Sequence, residues 1–217
     1  IVSRDWSSDV CSSDLAGPAD SLRIPGALGS SIGVIDDIGA DANVTAKGSD
    51  GSIRTLKAGD SIYQGDVVET VGRSYAGIRM NDDTSFQLGK ETRAVIDNYK
   101  YDDKTEAGKF EATVTTGFFR YASGKLGGLN KGTHSTIKTP TAQIGIRGSE
   151  LEGQVDRDGS TTFVHKSGIL DVSDVFGRGT VTLTQPGTAT AVSFKPGAPS
   201  PIFEAPEALM SSFKSSM

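Results

Sequence analysis

Gly29-Ser30-Ser31-Ile32-Gly33 spells G-x-S-x-G, the spacing that presents a serine nucleophile at a strained turn. That chemistry needs a strand before the serine, a helix after it and a histidine base, for which the chain offers His134 and His165. Here a Pro/Gly-punctuated lead-in precedes Ser31 and the β-type pair Val34-Ile35 follows. The segment therefore reads as a loop entering a first strand. Residues 127–133 (GGLNKGT) carry glycine at two phosphate-loop positions, but Thr133 stands where the lysine must be. Acidic pairs fall at Asp36-Asp37, Asp82-Asp83 and Asp102-Asp103. None fits the D-x-[DN]-x-[DN]-G calcium loop. Asp82-Asp83 reads as a hairpin tip, and Asp102-Asp103 as a turn beside Tyr99 and Tyr101. Two His and one Cys exclude a Cys₂His₂ or Cys₄ zinc site within one chain. His134, on a glycine-rich loop, is expected to be exposed, and His165 to sit on a sheet face. Asn43-Val44-Thr45 is an N-glycosylation sequon that lies in a strand-like stretch. The reading assigns no catalytic residue, no cofactor-binding residue and no metal ligand.

The elements that would position such residues are strands. The chain has 217 residues, net charge −5, 35% hydrophobic and 23% charged residues, a balance that favours a folded protein over a disordered one. An acidic chain lacks the basic face that nucleic-acid binding requires. No apolar run approaches the ~20 residues of a membrane span. Glycine makes up 27 of the 217 residues, and scattered singly it implies many turns. Between them apolar residues alternate: Ala42/Val44/Ala46, Ala76/Ile78/Met80, Phe86/Leu88, Phe110/Ala112/Val114, Ala142/Ile144/Ile146 and Leu170/Val172. Period two marks a strand with one buried face. Asp50-Gly51 and Asp158-Gly159 supply hairpin turns. About a dozen short strands at a spacing of ~8–12 residues predict an all-β, jelly-roll-like sandwich or roll. Residues 206–213 form the one helix candidate, with Pro206 at its start and Leu209 four positions before Phe213. Residues 123–135 read as a flexible surface loop.

Residues 1–15 (IVSRDWSSDVCSSDL) lack the charged and apolar regions of a signal peptide. They resemble translated sequencing-adapter read-through. The expected organisation is a non-native tail at 1–15, a lead-in at 16–31, one β domain at 32–194, and a C-terminal tail with a short helix at 195–217. Any leader peptide is expected to lie upstream.

Four segments taken in order are more specific than any single motif. They are AGDSIYQGDVVET at residues 58–70, NDDTSFQL at 81–88, TGFFRY at 116–121 and IKTPTAQIGIRGS at 137–149. Their order and content, closed by Ser167-Gly168-Ile169-Leu170-Asp171-Val172 and by Gln185-Pro186-Gly187, resemble the FecR domain, a periplasmic module named for an iron-citrate signalling regulator. The resemblance runs over residues 32–194. It implies a non-catalytic binding or sensing module of the cell envelope, acting through contact with a protein partner such as a receptor or regulator. It implies a periplasmic or cell-surface location and no cofactor. The cytoplasmic anti-sigma region, transmembrane helix and receptor-contacting region of the signalling members have no counterpart in this sequence. The alternative is a structural module of a secreted adhesin or other surface protein. Asp83 stands where the hairpin glycine is usual, which suggests a different turn type, and Ser149 stands where threonine is usual.

Within that centre, Ala142, Ile144 and Ile146 are expected to face the core. Arg147 then needs a carboxylate or carbonyl partner or an outward snorkel, and is expected to staple sheets or a strand end in preference to binding a ligand.

Overall fold

The computed structural model describes residues 29–39, 42–127, 132–195 and 197–216; residues 1–15 and most of the lead-in lie outside them. The alternating runs form fifteen strands among the described residues, all hydrogen-bonded into one sheet that folds back on itself. Pairing registers divide it into two facing leaves. The first leaf runs β3 (Ile53–Thr55), β2 (Asn43–Lys47), β5 (Val67–Val71), β8 (Arg93–Asp102), then the first half of β9 (Ala107–Ala122). It continues through β10 (Ser135–Lys138), the first half of β11 (Ala142–Val155), the last half of β12 (Thr161–Asp174) and β13 (Thr180–Leu183). The second leaf runs β4 (Ser61–Ile62), β1 (Gly33–Ile38), β6 (Ala76–Met80), β7 (Ser85–Leu88), the remaining halves of β9, β11 and β12, β14 (Thr188–Val192) and β15 (Phe203–Glu204). The architecture is the all-β sandwich that the periodicity predicts, with more strands than expected and with β9, β11 and β12 running to 16, 14 and 14 residues.

Three strands therefore belong to both leaves, and each must bend. β11 breaks register between Arg147 and Leu151. Gly148 (φ 59°) and Gly168 (φ 76°) face each other at that bend. A Cβ on Gly168 would collide with Ser149 Oγ and the Gly148 carbonyl, so the position needs glycine for both space and conformation.

The core fills the space between the leaves. Phe86 of the second leaf meets Phe110 of the first edge-on, with centroids 5.5 Å apart, and Phe119, Tyr121 and Phe163 continue the aromatic row. Ala142, Ile144 and Ile146 are fully buried in it, as the alternation required. The helix, α1 (Glu207–Lys214), starts after Pro206. It lies on the outer surface of the second leaf, where Phe213 joins Val164 and Ala189 in a small separate cluster and stacks at 88° against Phe118. Among the described residues no helix is long and apolar enough to cross a membrane.

Candidate functional site

Several polar residues of the ordered fingerprint sit at turns and bends, and their groups are used there. In the first segment Asp60 caps its own turn, accepting the Lys57 N–H at 2.8 Å. Asp66 is buried, accepts the Tyr63 N–H at 2.9 Å and pairs with Arg54. The Arg54 guanidinium in turn lies 5.0 Å over the Tyr63 ring.

In the second segment Asp82 is fully buried at the β6–β7 hairpin. It accepts Thr84 Oγ1–H at 2.6 Å, Tyr99 O–H at 2.9 Å and the Leu126 N–H at 3.3 Å. Burial, reinforced by the Asp82 carboxylate, raises the Tyr99 phenol well above its ordinary range. Asp83 takes φ 65°, the left-handed conformation that glycine favours, so the turn keeps a glycine-like backbone without the glycine. The same hairpin anchors the start of the 123–135 segment. Gly124 N–H donates to Thr84 Oγ1 and Lys125 N–H to the Asp82 carbonyl, a 3₁₀ turn (Lys125–Gly127) follows, and Leu126 is fully buried. The expectation of a free surface loop is corrected for its described parts: buried donors and an apolar side chain hold them down.

Thr139 and Thr141, either side of Pro140, tie four chain segments together. Thr141 Oγ1 reaches the carbonyls of Gly159 (2.8 Å) and Val192 (3.1 Å), while its own carbonyl accepts the Val175 N–H. Thr161 Oγ1 donates to Thr139 Oγ1 at 2.9 Å. Ser149 Oγ bridges the bend, accepting the Ile169 N–H at 2.9 Å and reaching the carbonyls of Arg147 and Ile169 at 3.0 Å. Arg147 finds its carboxylate: Nη2 donates to Asp171 Oδ2 at 2.5 Å. Both lie on the outer face of the same leaf, so the contact braces neighbouring strands and does not staple the two sheets.

His134 is also corrected. It is 4% exposed. Its Nε2 accepts the Gly148 N–H at 2.8 Å, and its Nδ1–H faces Ser135 Oγ at 2.8 Å. Ser135 Oγ lies 2.6 Å from the Tyr121 hydroxyl across the core. An Nε2 that accepts must be unprotonated, and burial lowers the tendency of this imidazole to take a proton. His165 is fully buried with Nε2–H on the Gly168 carbonyl at 2.9 Å. Ser31 Oγ is bonded to the Gly33 carbonyl at 2.9 Å and is followed by β1, not a helix. The elbow geometry is absent, and neither histidine bonds to Ser31. A surface depression of about 380 Å³ is lined by Asn43, Val71, Arg73 and Tyr75 and by neither histidine nor Ser31. Asn43 begins β2 and is exposed. Among the described residues no three His, Cys, Asp or Glu side chains gather as metal ligands.

Of the exposed large apolar side chains, three lie at loop tips. Phe176 (63% exposed) and Val175 occupy the β12–β13 turn, and Phe194 (61% exposed) flanks the β11–β12 tip at Gly159 beside Pro140. Because Val175 is bonded to Thr141, these side chains share one end of the molecule. Sequence reasoning missed them, since isolated aromatics at turns carry no period. Exposed apolar groups gathered at one end are the kind of surface that other macromolecules contact.

Residues 66–169 match the family model described as FecR protein, which takes in most of the ordered fingerprint. No curated protein matches the sequence. Among solved structures the chain is similar to two crystal structures, at 1.65 and 2.50 Å, of a candidate anti-sigma factor from Parabacteroides distasonis. Identity is 10% in each; TM-scores are 0.47 and 0.51, over 64% and 68% of this chain and 60% and 63% of those. The chain thus spans less than two thirds of their length. The second likeness speaks to the fold.

Proposed function

We propose that this chain is a non-catalytic, FecR-type regulatory module of the cell envelope that works by binding a protein partner and passing a signal to a regulator. One observation carries the reading: the FecR match at residues 66–169 coincides with a fingerprint whose polar side chains are committed to holding turns and bends. Such a module has its shape fixed by the fingerprint and its specificity set by the surrounding loops, where Val175, Phe176 and Phe194 are exposed. The chemistry of those loops favours an apolar protein surface over a charged ligand. The periplasmic side of the inner membrane is the location consistent with this family.

Deletion of the intact gene, followed by transcript profiling and by fractionation of the tagged product, tests the reading. A change confined to a small regulon, with the product in the periplasmic or inner-membrane fraction, supports it. An unchanged transcriptome together with lost surface attachment would favour the structural-module alternative. Turnover of ester or glycoside substrates that disappears in Ser31→Ala or His165→Ala would refute the non-catalytic assignment.

A further inference from the structure

The folded sheet ends, among the described residues, in four outer strands: β3, β4, β13 and β15. At four residues β13 is the longest of them. Its sequence, Thr-Val-Thr-Leu, carries no proline and no charge, which are the usual protections of an open edge. The Asp174 N–H donates to the Gly179 carbonyl, and strand register follows from there. In an antiparallel ladder the bonded pairs alternate. Val181 and Leu183 therefore spend their backbone groups on β12, while the N–H and C=O of Thr180 and Thr182 point away from the sheet. The side chains agree: Ser173 and Thr180 hydroxyls meet at 2.9 Å, and Thr182 Oγ1 donates to Asp171 at 2.7 Å, as close non-bonded pairs do.

We propose that β13 pairs antiparallel with β13 of a second copy of this chain, about a two-fold axis through Val181. That register sets Thr180 of each copy opposite Thr182 of the other, so the four outward N–H groups and carbonyls are satisfied without a bulge. It stacks threonine against threonine on the outer face, a favourable cross-strand pair, and valine against valine on the inner one, where Val181 is only partly buried. Charge does not oppose the approach. Asp171 is neutralised by Arg147 and Asp174 by Arg178 within each copy, so these two carboxylates beside β13 bring their own counter-charges. Phe176 and Val175, exposed in the turn before β13, extend the contact beyond the backbone.

Sedimentation velocity of the full chain from micromolar to millimolar concentration tests this, with Thr182→Pro and Thr180→Lys as variants. Proline at 182 removes an outward donor and no bond to β12, a placement that edge strands tolerate. Lysine at 180 adds a charge to the edge without touching the ladder. The expected result is a concentration-dependent dimer that both variants return to monomer, with far-ultraviolet circular dichroism unchanged. The amides of Thr180 and Thr182 should also exchange more slowly as the wild-type dimer forms. A wild-type chain that stays monomeric throughout overturns the proposal and leaves the edge to an extended segment of another protein. A dimer that survives in both folded variants overturns it too.

Discussion

His134 shows how one buried side chain couples the fold to acidity. Its neutral form holds the Gly148 N–H, and protonation gives that acceptor up. Burial is the larger influence and lowers its proton affinity; the buried Asp82 carboxylate acts in the opposite sense and is the smaller one. The unfolded chain, with an ordinary histidine, therefore takes up the proton first as pH falls. The stabilisation is complete above about pH 6.5 and declines below it toward the lowered folded value. Urea midpoints measured between pH 8 and pH 5 should fall on the acid side, and His134→Gln should flatten that part of the profile. Arg147 gives a second residue-scale expectation. It and Asp171 are each about one third exposed, and Asp171 keeps the Thr182 hydroxyl when the guanidinium is removed. Arg147→Ala should cost about 0.5–1 kcal/mol in chemical denaturation, less than loss of a fully buried pair. The sequence showed that Arg147 needed a carboxylate. It could not show which one, because Asp171 is 24 residues away. His134 was misplaced on the surface for a related reason: glycine-rich surroundings signal a loop, but not that the loop's start is tied to a hairpin 40 residues earlier.

At the scale of elements the bends decide most. Gly168→Ala should destabilise by roughly 2–3 kcal/mol or block folding, since the new methyl meets Ser149 and a positive φ together; a thermal melt against Gly177→Ala, where nothing crowds the glycine, isolates the steric part. The helix α1 should behave differently. Phe213→Ala removes the buried anchor of a cluster separate from the main core, so about 2 kcal/mol should be lost. Hydrogen exchange should quicken in α1 while β9 stays protected. Strand positions and the helix start were legible, because period two and Pro206 are local signals. The division of β9, β11 and β12 between two leaves was not. A continuous apolar alternation looks the same whether its strand is flat or folded, and Gly148 or Gly168 reads as a turn until its partner strand is known.

For the molecule as a whole, three strands common to both leaves mean that neither leaf has an independent edge along which to separate. Thermal unfolding should follow one transition, with near- and far-ultraviolet signals coincident; two separated transitions would show that the leaves melt apart. Refolding should be slow for the size, because several ladders join strands distant in sequence (β1–β6, β7–β9, β9–β11) and the parallel β9–β10 pair needs a crossover.

The separate seating of α1 has a mechanical meaning. A load drawn between the first strand and the chain's last residues reaches α1 through Phe213, the Lys166 contact to Met210 and the bond from the Lys90 amide to the Ser216 carbonyl. Those contacts yield by peeling, one after another. The ladders of β11 and β12 lie beyond them and resist in shear, many bonds at once. The protein is thus a stiff body with a compliant end, able to lengthen by an unwound helix and its lead before its sandwich is strained, and a force-extension trace should show a small early step well separated from a single large one.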